Sequence, residues 1–201
     1  MVKVLVAFYS RTGTIEALSN AAAEGAREEG AEVRLRRARE FVPQEVMAQA
    51  PGWIESAERM NAAYEAPTAA DAEWADAILF GTPTRFGNVT AELKAYIDSL
   101  GGLWAKGALN GKVGSALSAT SSLHGGNETT IMSLYPVMAH LGLIIVPTGY
   151  ADPVLFKAGT PYGATMASGR EKRKPNEDEA GVARFQGKRV TQIARLLRPG
   201  G

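Results

Sequence analysis

The chain has 201 residues, 45% of them hydrophobic and 21% charged, with a formal net charge of +1. That length suits one α/β domain, expected to span residues 1–201, and the charge balance excludes a disordered chain or a polyanion-binding surface, so nucleic acid is not an expected partner. There is no cysteine and there are two histidines, so disulfides and thiolate chemistry are excluded, no metal site is expected, and any redox chemistry must come from a bound cofactor.

Apolar, strand-like segments recur at 2–9, 33–35, 77–81, 112–118 and 143–147, separated by helical patterns at 15–29, 71–74, 90–100, 128–140 and 178–197. Gly30 and Gly142 mark two helix ends. Short strands rich in Val, Ile and Leu and apolar on both faces predict a doubly wound parallel sheet of five strands in the flavodoxin-like order 2-1-3-4-5, with ligands at the carboxyl ends of strands one, three and four. Two excursions interrupt the alternation. The first, 38–67 after strand two, carries Phe41, Val46, Met47, Trp53, Met60 and Tyr64 without a clean period and reads either as local packing or as a subunit contact. The second, 149–169 after strand five, is read as an extra hairpin. The basic run from Arg34 to Arg39 is read as the exposed face of a strand and its turn. No apolar run reaches the roughly 18 residues of a membrane span, and the N-terminus lacks a signal-peptide pattern, so a cytoplasmic protein without a membrane partner is expected.

The chemistry gathers on three strand ends. Ser10-Arg11-Thr12-Gly13-Thr14-Ile15 follows the first strand and opens a helix, collecting backbone N–H groups, short hydroxyls and the positive end of a helix dipole around one point. That arrangement suits a phosphate, as in the FMN site of flavodoxin-type folds, although a Ser/Thr/Gly turn also serves simply to cap a helix. Gly81-Thr82-Pro83-Thr84-Arg85-Phe86-Gly87-Asn88 after the third strand can wall a flat isoalloxazine ring or be an ordinary βα loop capped by Asn88 or Thr90. Ser118-Ala119-Thr120-Ser121-Ser122, with Gly125 and Gly126 beyond, places a second donor-rich loop beside the first. His124 lies on that loop, and Trp104 follows Gly101-Gly102 as a core plug or a pocket wall; His140 ends the following helix, an end that the fold points away from the strand ends unless the helix crosses over or a neighbouring chain supplies it. No dinucleotide fingerprint and no P-loop is present.

Taken together, Ser10–Ile15, Gly81–Asn88, Gly101-Gly102-Leu103-Trp104, the run from His124 to Thr130 and the run from Gly159 to Thr165 resemble the WrbA family of flavodoxin-like NAD(P)H:quinone oxidoreductases, nearly end to end. The resemblance implies non-covalent FMN, reduction of quinones by NADH or NADPH, and a homotetramer with active sites where subunits meet. Position by position it implies FMN contacts at Ser10, Arg11, Thr12, Gly13, Thr14, Ile15, Pro83, Thr84, Arg85, Phe86, Asn88, Thr120, Ser121, Ser122, Gly125, Gly126 and His140. It makes His140 the catalytic histidine near the flavin and Trp104 a wall of the substrate pocket, with Thr12 where some members place a tyrosine against the nicotinamide nucleotide. A one-electron flavodoxin-type carrier and an FMN-binding partner protein are the alternatives. The near-neutral charge disfavours the carrier, since such carriers are strongly acidic.

Overall fold

A computed structural model describes residues 1–198. Its elements in chain order are β1 (Lys3–Phe8), α1 (Thr14–Glu28), β2 (Glu32–Arg37), α2 (Gln44–Met47), α3 (Trp53–Ala63), α4 (Ala69–Trp74), β3 (Ala77–Pro83), α5 (Ala91–Asp98), α6 (Gly101–Ala105), β4 (Val113–Thr120), α7 (Asn127–His140), β5 (Ile144–Ile145), a short 3-10 turn (Pro153–Phe156), β6 (Thr165–Ala167) and α8 (Glu177–Leu197). The sheet is parallel throughout, in the order β2-β1-β3-β4-β5, with β6 also paired to β4. Alternate residues of β1 show why both faces must be covered. Val4, Val6 and Phe8 pack under α1 and α8, whereas Leu5, Ala7 and Tyr9 face the layer of α4 to α7. Helices α1 and α8 lie backbone to backbone: a Cβ built at Gly25 would fall 1.9 Å from the Arg184 carbonyl oxygen, and one at Gly187 would fall 1.9 Å from that of Ala22.

The fifth strand is divided. β5 pairs with the start of β4 (Val113↔Ile144, Gly114↔Ile145), leaves the sheet beyond Val146, and is replaced at the other end by β6 (Ser118↔Thr165 to Thr120↔Ala167). The excursion 149–169 therefore returns to the sheet as a parallel strand and not as the expected hairpin; a tight Thr160↔Gly163 bridge is its one hairpin-like turn among the described residues. Gln186 from α8 fills the break. Its Nε2 donates to the Ala116 carbonyl (2.8 Å) and to Ser115 Oγ (2.7 Å), and its Oε1 accepts the Ala164 N–H at 2.9 Å, all buried. Gln186→Leu keeps the volume but leaves those backbone groups without partners, and is expected to cost roughly 3 kcal/mol of unfolding free energy, measured by urea denaturation.

The first excursion is ordered by local packing. Met47, Trp53 and Ala57 form a small cluster with Val42, Ala50 and Ile54, while Phe41 and Val46 stay exposed. Beyond α3, Tyr64 meets the Phe8 ring edge-on at 5.2 Å. The basic strand is not simply surface, as its pattern had suggested. Arg34 and Arg36 share a face and converge on buried Asp71 at 3.1 and 3.2 Å, with Arg34 also 4.0 Å above the Trp74 ring. Arg37, on the opposite face, is completely buried because the excursion folds back over the end of β2 and supplies Glu40 and Asn61 as its partners. No described helix is long and apolar enough to cross a membrane.

Candidate functional site

The carboxyl end of β1 turns through Tyr9–Gly13 directly into α1. Ser10 Oγ accepts the Gly13 N–H at 3.0 Å, which leaves the hydroxyl proton free to be donated outward. Gly13 stands at φ +91 as the N-cap of α1 and, having no side chain, supplies no capping hydrogen bond. The first helical bond runs from the Ala17 N–H to the Gly13 carbonyl, so the N–H groups of Thr14, Ile15 and Glu16 precede the helical ladder. No described hydrogen bond engages the hydroxyls of Thr12 and Thr14. The start of a 15-residue helix is thus left open and ringed with hydroxyls, which is a seat for an anion.

Beneath this loop lies a buried polar network. The Arg37 guanidinium donates to the Ser10 carbonyl (3.1 Å), Glu40 (2.8 Å) and Asn61 (2.6 Å), and the Tyr9 hydroxyl donates to the other Glu40 oxygen at 2.8 Å. Burial, followed by the charges of Glu92 and Glu40, pushes the Tyr9 hydroxyl far above the ordinary tyrosine range, so it stays a proton donor. Above the loop, Arg11 stacks 3.6 Å from the centre of the Trp53 ring. Arg59 grips Glu16 with two bonds of 2.8 and 2.6 Å. Burial alone would raise the Glu16 carboxyl, but the hydrogen bond and charge of Arg59 outweigh it and hold the group below the usual range.

The second wall follows β3. The Thr84 N–H bonds the Ala119 carbonyl at 3.0 Å, and Thr84 Oγ1 accepts the Gly87 N–H (3.0 Å) and meets the Thr130 hydroxyl (2.9 Å). Arg85 and Asn88 exchange both backbone bonds across Phe86 (φ +54) and Gly87 (φ +78), the two positive values of a type I′ turn. A phenylalanine is rarely held in that conformation, and here the ring is fully exposed at the tip. The third wall is the end of β4, where Ser168 ties the segment after β6 to the Thr120 carbonyl through its N–H (2.8 Å) and Oγ (3.1 Å).

These walls enclose a cleft of about 220 Å³ lined by Ser10, Arg11, Thr12, Thr14 and Ile15, by Pro83, Thr84 and Arg85, and by Ala119, Thr120, Ser121, Ser168 and Lys172. Among the described residues three cations and no carboxylate face it. An uncapped helix start, free hydroxyls and that sign of charge fit the phosphate of FMN. Among the described residues no group of acidic, histidine or cysteine side chains could hold a metal ion.

Residues 2–153 match the model of a family described as NADPH-dependent FMN reductase. The chain belongs to that family. Among solved structures, a flavodoxin described as a WrbA-like protein from Agrobacterium tumefaciens superposes with a TM-score of 0.69 at 23% identity, covering 98% of this chain and 100% of the other. A flavodoxin from the domain Archaea gives 0.63 at 15% identity over 96% and 99%. RosB, solved with 8-demethyl-8-formylriboflavin-5'-phosphate bound, gives 0.65 at 15% over 98% and 80%. At these identities the likeness is one of fold.

In this member of the FMN reductase family, ten of the residues singled out from the sequence line the cleft: Ser10, Arg11, Thr12, Thr14, Ile15, Pro83, Thr84, Arg85, Thr120 and Ser121. Gly13 lines the groove next to it. Phe86 and Asn88 form the turn beyond the rim, and Ser122, Gly125 and Gly126 lie on the loop leaving β4, where a Cβ at Gly126 would come within 3.3 Å of Gly87 Cα. Trp104 and His140 are together but elsewhere, in an open groove with Ile97, Pro136 and Leu141. The reason is length and direction: α7 starts beside the cleft and runs antiparallel to the strands for 14 residues, which carries His140 about 20 Å away, to the other end of the sheet. Ala119 lies within the β4 run already singled out, whereas Ser168 and Lys172 were not foreseen. Ser168 and Lys172 follow β6, a strand of three residues with no pattern of its own.

Proposed function

We propose that this chain is an FMN-dependent NAD(P)H:quinone oxidoreductase of the WrbA type that reduces quinones to hydroquinones two electrons at a time. The observation that carries the reading is the open start of α1, walled by hydroxyls and cations with no carboxylate in the cleft, in a chain whose family is described as NADPH-dependent. When bound, FMN supplies the redox chemistry by taking a hydride from the nucleotide and delivering it to the quinone. Ser10, Thr12 and Thr14 hold the phosphate, and Pro83, Thr84 and Arg85 edge the ring. Phe86, exposed at the rim, would give an apolar edge to a nicotinamide and to a quinone alike. Trp104 and His140 reach that rim only from a neighbouring copy, which agrees with a homotetramer whose sites form between subunits. There His140 would hold a quinone oxygen through a ring nitrogen as charge develops on it.

The test is steady-state oxidation of NADPH and of NADH by the FMN-loaded protein with benzoquinone, varying both substrates. Parallel double-reciprocal lines are expected; a flavin reduced by neither nucleotide ends the enzyme reading and leaves the carrier and partner-protein readings. His140→Ala should slow the quinone half-reaction by roughly tenfold or more with FMN affinity unchanged, and sedimentation should give a tetramer. Unchanged turnover in that variant removes His140 from the reaction.

A further inference from the structure

Beside the cleft, and continuous with it through Thr12, Thr14 and Lys172, lies a groove of about 590 Å³. Among the described residues four cations face this groove, Arg59, Lys172, Arg173 and Lys174, against one lining carboxylate, Glu16. Two of the four are fixed posts. Arg59 is gripped by Glu16 (2.8 and 2.6 Å), and Arg173 by Glu179 of α8 (2.6 and 2.7 Å). Lys172 and Lys174 make no ion pair and no side-chain hydrogen bond among the described residues. The turn that carries them is tied down at both ends: Ser168 is bound to Thr120, the Arg173 N–H reaches the Ser168 carbonyl at 2.9 Å, and Asn176 caps α8. Within this turn Lys172 is held at φ +54, a conformation that a lysine adopts only under constraint, and it faces both the cleft and the groove.

We propose that this groove seats the phosphates of the adenosine half of the donor nucleotide, with Lys172 and Lys174 as the cations that receive them. The inference rests on the reading above that the donor is NAD(P)H. The one phosphate of FMN is accounted for by the hydroxyls and open helix start on the cleft side. A nicotinamide lying on the flavin must send its adenosine half out of the cleft along some wall, and the wall at Lys172 leads into a compartment already lined with uncompensated positive charge. Both donors carry a pyrophosphate and NADPH alone adds a 2′-phosphate, so the same lysine chemistry has two sources that the donors themselves distinguish.

Lys174 lines the groove but not the cleft, which makes Lys174→Gln the deciding variant, with Lys174→Arg as its rescue. In the FMN-loaded protein, calorimetric titration with 2′,5′-ADP should show about fivefold weaker binding in Lys174→Gln, recovery in Lys174→Arg, and a steep loss of wild-type affinity with added salt. FMN affinity, read by fluorescence quenching, should not change. The KM for NADPH should rise by the same factor. An equal rise for NADH identifies the pyrophosphate as the group bound, and a rise confined to NADPH identifies the 2′-phosphate. Wild-type binding of 2′,5′-ADP with unchanged KM for both donors in Lys174→Gln and in Lys172→Gln overturns the proposal. The two readings fail separately: a wild-type flavin that neither donor reduces removes the oxidoreductase, whereas donors that reduce it equally well without these lysines remove only the groove.

Discussion

Thr14→Glu is expected to weaken FMN binding by about a hundredfold or more while leaving riboflavin binding within a fewfold of wild type. Thr14 is the first residue of α1 and lines the cleft, so a carboxylate there sits where the phosphate belongs. An acidic side chain at the first position of an uncapped helix is favourable in the ligand-free protein, by a few tenths of a kcal/mol, so the apoprotein should unfold at the same urea concentration as wild type or slightly above it. The combination of a lost ligand and a retained fold separates this outcome from damage to the loop. Fluorescence titration with FMN and with riboflavin, alongside urea unfolding of the apoprotein, makes the measurement. Equal loss of both flavins would mean that the open start of α1 is not the phosphate seat.

That seat was legible in the sequence because it is local. Ser10 to Ile15 are consecutive, the strand before them is apolar, the helix after them is alanine-rich, and Gly13 at φ +91 occupies the one place where a non-glycine residue would be strained. The parallel sheet was legible for a related reason: β1 and β3 are mostly apolar on both faces and β4 is built of small and apolar residues, a pattern that suits a parallel sheet covered by helices on two sides. What the sequence did not reveal depends on contacts far along the chain. The split of the fifth strand turns on Gln186 of α8 replacing missing ladder partners, and nothing near residue 147 announces it. Ser168 and Lys172 reach the cleft only because β6 takes up the vacated half of that edge. The place of His140 was legible from the fold, since a helix that begins at the carboxyl ends of the strands must finish at the other end of the sheet; that Trp104, on the short α6, lies beside it there was not.

Arg37 was hidden in the same way, and replacing it should have the largest effect on stability. A run of arginines alternating along an edge strand reads as solvated, yet Arg37 is fully buried and its partner Glu40 is only 9% exposed. Arg37→Met is expected to cost roughly 3–5 kcal/mol, because it leaves the Glu40 carboxylate buried with only the Tyr9 hydroxyl to receive it. The pair itself contributes little net stability, since Arg37 Nε has no partner among the described residues and two charges had to be desolvated to bury it. The double variant Arg37→Met/Glu40→Leu should therefore regain most of the loss, which urea unfolding of both variants would show directly. Function should not recover with it. The Arg37 guanidinium also holds the Ser10 carbonyl at 3.1 Å, fixing the turn whose hydroxyls face the phosphate, so FMN affinity should stay reduced by about tenfold in single and double variants alike. A single variant that loses less than about 1 kcal/mol would mean that this buried cation does not bear on stability, and a double variant that binds FMN as wild type does would mean that it does not position the loop.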